Sequence, residues 1–119
     1  MERVTFIKHK GVEILHLNFT SIPPEETFAT VDEAKKVISQ HPPKSLLTLT
    51  DVTDAQVTSD VSNSLRDFVN HNKPYVKAGA VLGVSGVKKV ILNSIMRLTG
   101  RKLTAFSTME EAVDWLSEQ

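Results

Sequence analysis

The sequence predicts an α/β domain built on a mixed sheet of four or five strands, with helices flanking the sheet. Two short apolar segments, residues 4–8 and 12–17, stand on either side of Gly11 and predict an opening antiparallel hairpin. Strand-like and helix-like patterns then alternate, which implies βαβ units with parallel pairing. The nearly continuous run of small apolar residues at 76–84 is typical of a strand that helices cover on both faces.

The first helix is expected after a loop at residues 21–26, where two prolines follow one another. Thr30 and Glu33 have capping-box spacing, so we expect this helix to begin at Thr30. Pro42 and Pro43 cannot continue it and are expected to end it.

The rest of the chain predicts three further strand–helix pairs. Val61, Leu65, Phe68 and Val69 repeat with the period of one buried helical stripe. Gly100 stands where a helix C-cap glycine is expected. The predicted strands lie near 46–52, 76–84 and 103–106, and the predicted helices at 59–72, 85–100 and from 107 or 108 onward. The predicted core comprises Leu47, Leu49, Val61, Leu65, Phe68, Ala80, Leu82, Val113 and Leu116.

Composition narrows the class of protein. A chain of 119 residues fits one domain, residues 1–119, with one hydrophobic core. Fourteen basic residues balance fourteen acidic ones, so we expect no nucleic-acid partner. The chain has no cysteine, which excludes disulfides and thiolate chemistry. Neither a signal peptide nor an integral membrane segment is expected, and the predicted location is the cytoplasm.

Five segments of the chain resemble the SpoIIAA-like, STAS-type bacterial domains. They are residues 47–55 (LTLTDVTDA), 72–78 (NKPYVKA), 83–86 (GVSG), 99–101 (TGR) and 106–116 (FSTMEEAVDWL). The resemblance implies a mixed sheet flanked by helices. It also implies a non-enzymatic regulatory or protein-interaction domain, because STAS-type domains mostly act by binding a kinase, a sigma-factor regulator or a small molecule. The alternative function is a small-ligand or lipid-binding module that uses an apolar third helix.

Thr58 and Ser59 open the second predicted helix and are candidates for a helix cap or a phosphoacceptor. They occupy the place of the phosphorylatable serine of STAS-type anti-sigma antagonists, but the glycine of that motif is missing. Asp51 and Asp54 follow the third strand, where open sheets bind ligands, so they are candidates for a polar site. The alternative is that they satisfy loop backbone groups as Asx turns.

The turn from the fourth strand into the third helix is a candidate anion or ligand site. Ser85, Gly86, Lys88 and Lys89 combine a small-residue turn with two cations in a first helical turn. A plain capped turn is the alternative. The turn matches neither a Walker A motif nor a dinucleotide fingerprint, and no cofactor is expected.

The third helix is apolar over more than one face. Leu92, Ile95, Met96 and Leu98 are the candidate interface, additional to a first stripe that begins at Val87. The excess predicts a homodimer, another protein partner or an apolar ligand, unless the first helix or the hairpin covers it. No catalytic residue is predicted, because the chain has no nucleophile elbow. No metal site is predicted either, because no two of the four histidines have metal-ligand spacing.

Overall fold

A computed structural model of the protein describes residues 2–119. Its strands and helices follow one another as β1 (Val4–His9), β2 (Val12–Asn18), α1 (Pro24–Ile38), β3 (Leu46–Asp51), α2 (Ser59–Asn72), β4 (Val76–Leu82), α3 (Val87–Thr99), β5 (Leu103–Phe106) and α4 (Met109–Ser117). The predicted bounds of α2 and β5 are confirmed.

The strands form one mixed sheet in the order β1-β2-β3-β4-β5. β1 and β2 are antiparallel, and every later pair is parallel. The predicted fold class, an opening hairpin followed by βαβ units, is therefore confirmed. Because each new strand is added at the same edge, right-handed crossovers place the three connecting helices on one face of the sheet.

Alternate residues of each strand supply two separate apolar layers. One layer joins β2, β3 and β4 to α1 and α2, with Leu15, Leu17 and Phe68 among its buried members. The other layer joins the opposite side of the sheet to α4, with Leu49 and Leu116 fully buried. The single helix α4 therefore covers the face that the crossover helices leave open.

A bulge in β4 lets this strand contribute to both layers. Leu46 pairs with Val76 but Leu47 pairs with Ala78, so Lys77 is an extra residue in the ladder. Val76 then faces α1 and α2, while Ala78 faces α4. Lys77 is exposed, and its Nζ donates to the Gln119 carbonyl oxygen at 2.8 Å.

Side-chain pairs tie the helices to one another and to the hairpin. Asp114 of α4 accepts from His9 Nε2 at 2.6 Å and lies 3.2 Å from Lys10 Nζ. These two contacts, chiefly the hydrogen bond to His9, hold the pKa of Asp114 below its ordinary value. Lys35 of α1 pairs with Asp67 of α2.

The first helix begins six residues earlier than the sequence predicts, so the prediction that it begins at Thr30 is wrong. Pro24 occupies the first helical turn, and Glu25 and Glu26 follow it there. Proline is favoured at this position because its missing N–H would have no helical partner, and acidic residues favour the positive helix end. Thr30 is buried inside the helix.

Two smaller differences concern where elements end. α1 ends at Ile38, and His41 donates its backbone N–H to the Ile38 carbonyl oxygen before the two prolines are reached. β4 ends at Leu82 because Gly83 has a φ of +80°, which breaks the strand. None of the helices within residues 2–119 is long and apolar enough to cross a membrane.

Candidate functional site

The loops after β3 and β4 meet at the carboxyl edge of the sheet, as the topology predicts. Val52 donates its backbone N–H to the Leu82 carbonyl oxygen at 2.9 Å. Gly83 lies so close to Thr53 that a β-carbon at position 83 would overlap the Thr53 backbone. The two loops containing the candidate residues are therefore packed directly against each other.

Asp51 belongs to an Asx turn, which is the structural alternative for the predicted polar site. Its Oδ1 accepts from the Thr53 backbone N–H at 3.0 Å and from the Thr53 hydroxyl at 2.6 Å. Asp54 is exposed and has a φ of +57°, a conformation that aspartate tolerates in turns. No group of three acidic or histidine side chains within residues 2–119 could hold a metal ion.

Thr58 is the N-cap of α2. Its Oγ1 accepts from the Val61 backbone N–H at 3.1 Å, and the Thr58 backbone is extended as a cap requires. Ser59 is the first helical residue and is exposed. Of the two hydroxyls that the sequence offers as cap or phosphoacceptor, Thr58 has the cap, and Ser59 is open to solvent.

One of the two lysines at the turn before α3 connects this turn to the loop after β3. Gly86 is the residue before the helix and provides no side-chain cap. Lys88 folds back, so that its Nζ donates to the Val52 carbonyl oxygen at 2.7 Å. Lys89 and Ser85 are exposed. The predicted anion turn therefore contains one cation bound to backbone and one in solvent.

The four residues of the predicted interface on α3 are exposed to different degrees. Ile95 is only 7% exposed, and Leu92 and Met96 are half-buried. Met96 Sδ accepts from the Leu103 backbone N–H at 3.3 Å, so it faces β5. Of the four predicted residues only Leu98, at 60% exposed, faces solvent. Helical periodicity separates the two faces of α3 but does not indicate which face packs on the sheet.

The inner face of α3 does not close fully onto the sheet. A partly open cavity of about 90 Å³ lies between the sheet and the helices α2 and α3. Most of its lining is apolar. The helices supply Val61, Leu65, Phe68, Val69, Ile91, Leu92 and Ile95, and the strands supply Leu17, Thr48, Thr50, Val81 and Leu103.

The floor of the cavity includes one position without a side chain. Thr48 of β3 pairs with Gly79 of β4, and Gly79 pairs with Leu103 of β5, so the side chains of Thr48 and Leu103 flank a glycine. A β-carbon at Gly79 would lie 2.7 Å from Leu103 Cδ2 and 3.1 Å from Thr48 Oγ1. These distances are shorter than normal packing, so glycine leaves room that its neighbours use.

Arg101 lines this cavity, and sequence reasoning did not assign it to a site there. It follows the C-cap Gly100 and lines the cavity beside the floor, with Nη2 3.1 Å from the β-carbon position of Gly79. Within residues 2–119 its side chain has one hydrogen-bond acceptor, the Val69 carbonyl oxygen, 3.4 Å from Nη1. Burial lowers the pKa of Arg101 to about 10, so the guanidinium is charged at neutral pH.

The charges in the cavity lining are all of one sign. Arg101 and Lys88 are the charged residues in the described lining, and no carboxylate is part of it. None of the ion pairs among residues 2–119 includes Arg101. The arrangement can therefore surround an apolar group and attract a negative one. The only sequence signal for Arg101 was its position directly after the C-cap Gly100, and that position does not indicate burial.

In comparisons with known proteins, no family model, no curated protein and no solved structure matched this chain. Membership of the SpoIIAA-like, STAS-type class therefore stays a prediction from the residues that carry the resemblance.

Replacing Thr58 with alanine should lower the free energy of unfolding by about 1 kcal/mol, because the Val61 N–H would lose its cap. Replacing the neighbouring Ser59 with alanine is the matched control and should change it by less than about 0.5 kcal/mol. Urea unfolding of both variants measures the difference. Equal losses would contradict the cap at Thr58. Kinase-dependent labelling that Ser59→Ala abolishes would identify Ser59 as a phosphoacceptor.

Proposed function

We propose that the protein is a non-enzymatic binding module that takes a small apolar ligand into the cavity between its sheet and the helices α2 and α3. The observation that carries this proposal is the cavity itself. Small-molecule sites are concave and mostly apolar, with a few polar groups that orient the ligand. This cavity has that character, because threonine hydroxyls, the Asn72 amide and two cations interrupt an apolar lining.

The energetics of packing support a bound ligand. Protein interiors are close-packed, and the residues lining an unfilled space lose dispersion contacts on one side. Ile95 and Phe68 are buried yet line the cavity, so their inner surfaces lack part of the packing that the α4 layer provides on the opposite face. An apolar ligand would restore those contacts.

The resemblance to STAS-type domains supports a regulatory role for this binding. Members of that class mostly act by binding rather than by catalysis, and a small molecule is among the partners that the resemblance implies. We therefore place the protein among ligand-binding regulatory modules of bacterial type. Ligand binding would affect other proteins through the surfaces of the helices that surround the ligand.

Replacing Val81 with phenylalanine tests the cavity as a binding site. Val81 points from β4 into the cavity, so a phenyl ring would occupy the space of the ligand. We expect the variant to keep its melting temperature and to lose binding of the neutral apolar dye N-phenyl-1-naphthylamine. Fluorescence titration of the full chain measures the binding, and differential scanning calorimetry measures the stability.

Ala80 provides the matched control, because it precedes Val81 and faces the closed layer under α4. Ala80→Val should cost about 1–3 kcal/mol from overpacking but should leave dye binding intact. If Val81→Phe destabilises as strongly as Ala80→Val, the space beside Val81 is filled by protein. If in addition the unmodified protein binds no dye, the proposed function is wrong.

A second candidate function is protein interaction through the outer face of α3. Val87, Val90 and Leu98 are 73, 69 and 60% exposed and lie on one face of this helix. Soluble monomers seldom leave several large apolar side chains exposed together. This face supports the homodimer or protein complex that the sequence predicts, although Leu98 is its only member among the four predicted residues.

Replacing Val90 and Leu98 together with glutamate should convert a dimer into a monomer, because the charges would be buried in the interface. Phe28→Glu on α1 is the control, since Phe28 is exposed but lies on another helix. Light scattering over a wide concentration range measures the mass. An unmodified protein that stays monomeric throughout would contradict the self-association.

A further inference from the structure

The charge on Arg101 has no counter-charge in the protein. A guanidinium offers five N–H donors, and this one has a single, long hydrogen bond to the Val69 carbonyl oxygen. A charge that is removed from water is costly unless it is paired, so proteins usually pair such groups. Arg101 therefore occupies a place where an anion from outside the protein would be stabilised.

The surroundings of Arg101 define where that anion would lie. Arg101 Nη2 and Thr48 Oγ1 are each 3.1 Å from the position of a β-carbon on Gly79, and Leu103 Cδ2 is 2.7 Å from it, so the three side chains meet above this glycine. Thr48 is a buried residue, and its side chain lines the cavity. A cation and a hydroxyl group thus lie near each other in the lining of the cavity.

We propose that the cavity binds an amphipathic monocarboxylate, such as a fatty acid, with its carboxylate on Arg101 and its apolar tail between the sheet and α2–α3. This inference rests on the proposed function and adds the chemical class of the ligand. The guanidinium fork matches the two oxygens of a carboxylate, and one partly buried cation matches a single negative charge.

The direction of the tail follows from the lining. Arg101 lies beside Thr48 and Gly79, whereas Lys88 binds the Val52 carbonyl oxygen four residues further along the chain from Thr48. At the usual rise of an extended chain this separation is about 13 Å. Apolar side chains of α2 and α3 line the space between them. The tail would run from Arg101 towards the carboxyl edge of the sheet.

A comparison of decanoate with decanol tests the contribution of the headgroup to affinity, because the two compounds share one chain length and differ in charge. Isothermal titration calorimetry of the full chain should show decanoate binding about 10- to 100-fold more tightly than decanol. Affinity should rise about fourfold for each added methylene until the cavity is full. Decyl phosphate should bind more weakly than decanoate, because one cation compensates only part of its charge.

Arg101→Met should remove the preference for decanoate and leave decanol affinity within about threefold, since methionine keeps the apolar contacts. Without ligand this variant should be as stable as the unmodified protein or more stable, because a partly buried charge without an acidic partner is removed. Arg97→Met is the matched control, because Arg97 is an exposed arginine of α3 outside the cavity lining. Its decanoate affinity should change by less than about threefold.

The outcomes separate this inference from the proposed function. If decanol and decanoate bind equally, and Arg101→Met changes neither, the cavity binds apolar ligands but the carboxylate site is wrong. If Arg97→Met loses decanoate as strongly as Arg101→Met, or decyl phosphate binds more tightly than decanoate, the assignment to a monocarboxylate on Arg101 is also overturned. If neither compound binds at all, the proposed function itself fails.

Discussion

The order of the strands is the constraint from which the rest of the structure follows. After the opening hairpin, each strand pairs with the one before it in the chain, and all these pairs are parallel. Right-handed crossovers then place α1, α2 and α3 side by side on one face, and α4 is left to cover the other. The two faces of the sheet consequently differ in how closely they are packed. Large leucines close the α4 face, while a cavity remains on the crossover face under α2 and α3.

The open face combines two features that oppose stability on their own. A space lined by buried apolar side chains loses packing, and a partly buried arginine without an acidic partner loses hydration. Both losses would be offset by one molecule that has an apolar body and a negative end. The combination therefore points to binding more strongly than either feature alone.

The sequence predicted the parts of the fold that depend on periodicity and capping. The stripe from Val61 to Val69 defined α2, and Gly100 marked the end of α3. The start of α1 was not predicted, because Pro23 and Pro24 are compatible with either a loop or a first helical turn. The tertiary packing of Thr27 and Thr30, which are buried in this helix, decides between the two. The face of α3 that packs on the sheet could not be predicted for a related reason, since both faces of this helix are apolar.

The candidate site was much less predictable than the fold. Thr58 and Asp51 form the cap and the Asx turn that local patterns indicate. The cavity depends on three strands that bring Thr48, Gly79 and Leu103 together from distant parts of the chain. Arg101 becomes a candidate site residue only because these three strands lie beside it, since an arginine in a turn is ordinarily solvated. No local pattern records such a neighbourhood.

The central claim is that an amphipathic carboxylate lies on the Arg101 side of the cavity. The most direct measurement is a ¹H–¹⁵N and arginine side-chain NMR titration with decanoate. The account predicts shifts of the Arg101 Nε–H signal and of the backbone amides of Gly79 and Leu103, with Ala112 and Leu116 in the closed α4 layer unchanged. Shifts confined to the exposed face of α3, at Val87, Val90 and Leu98, would contradict it.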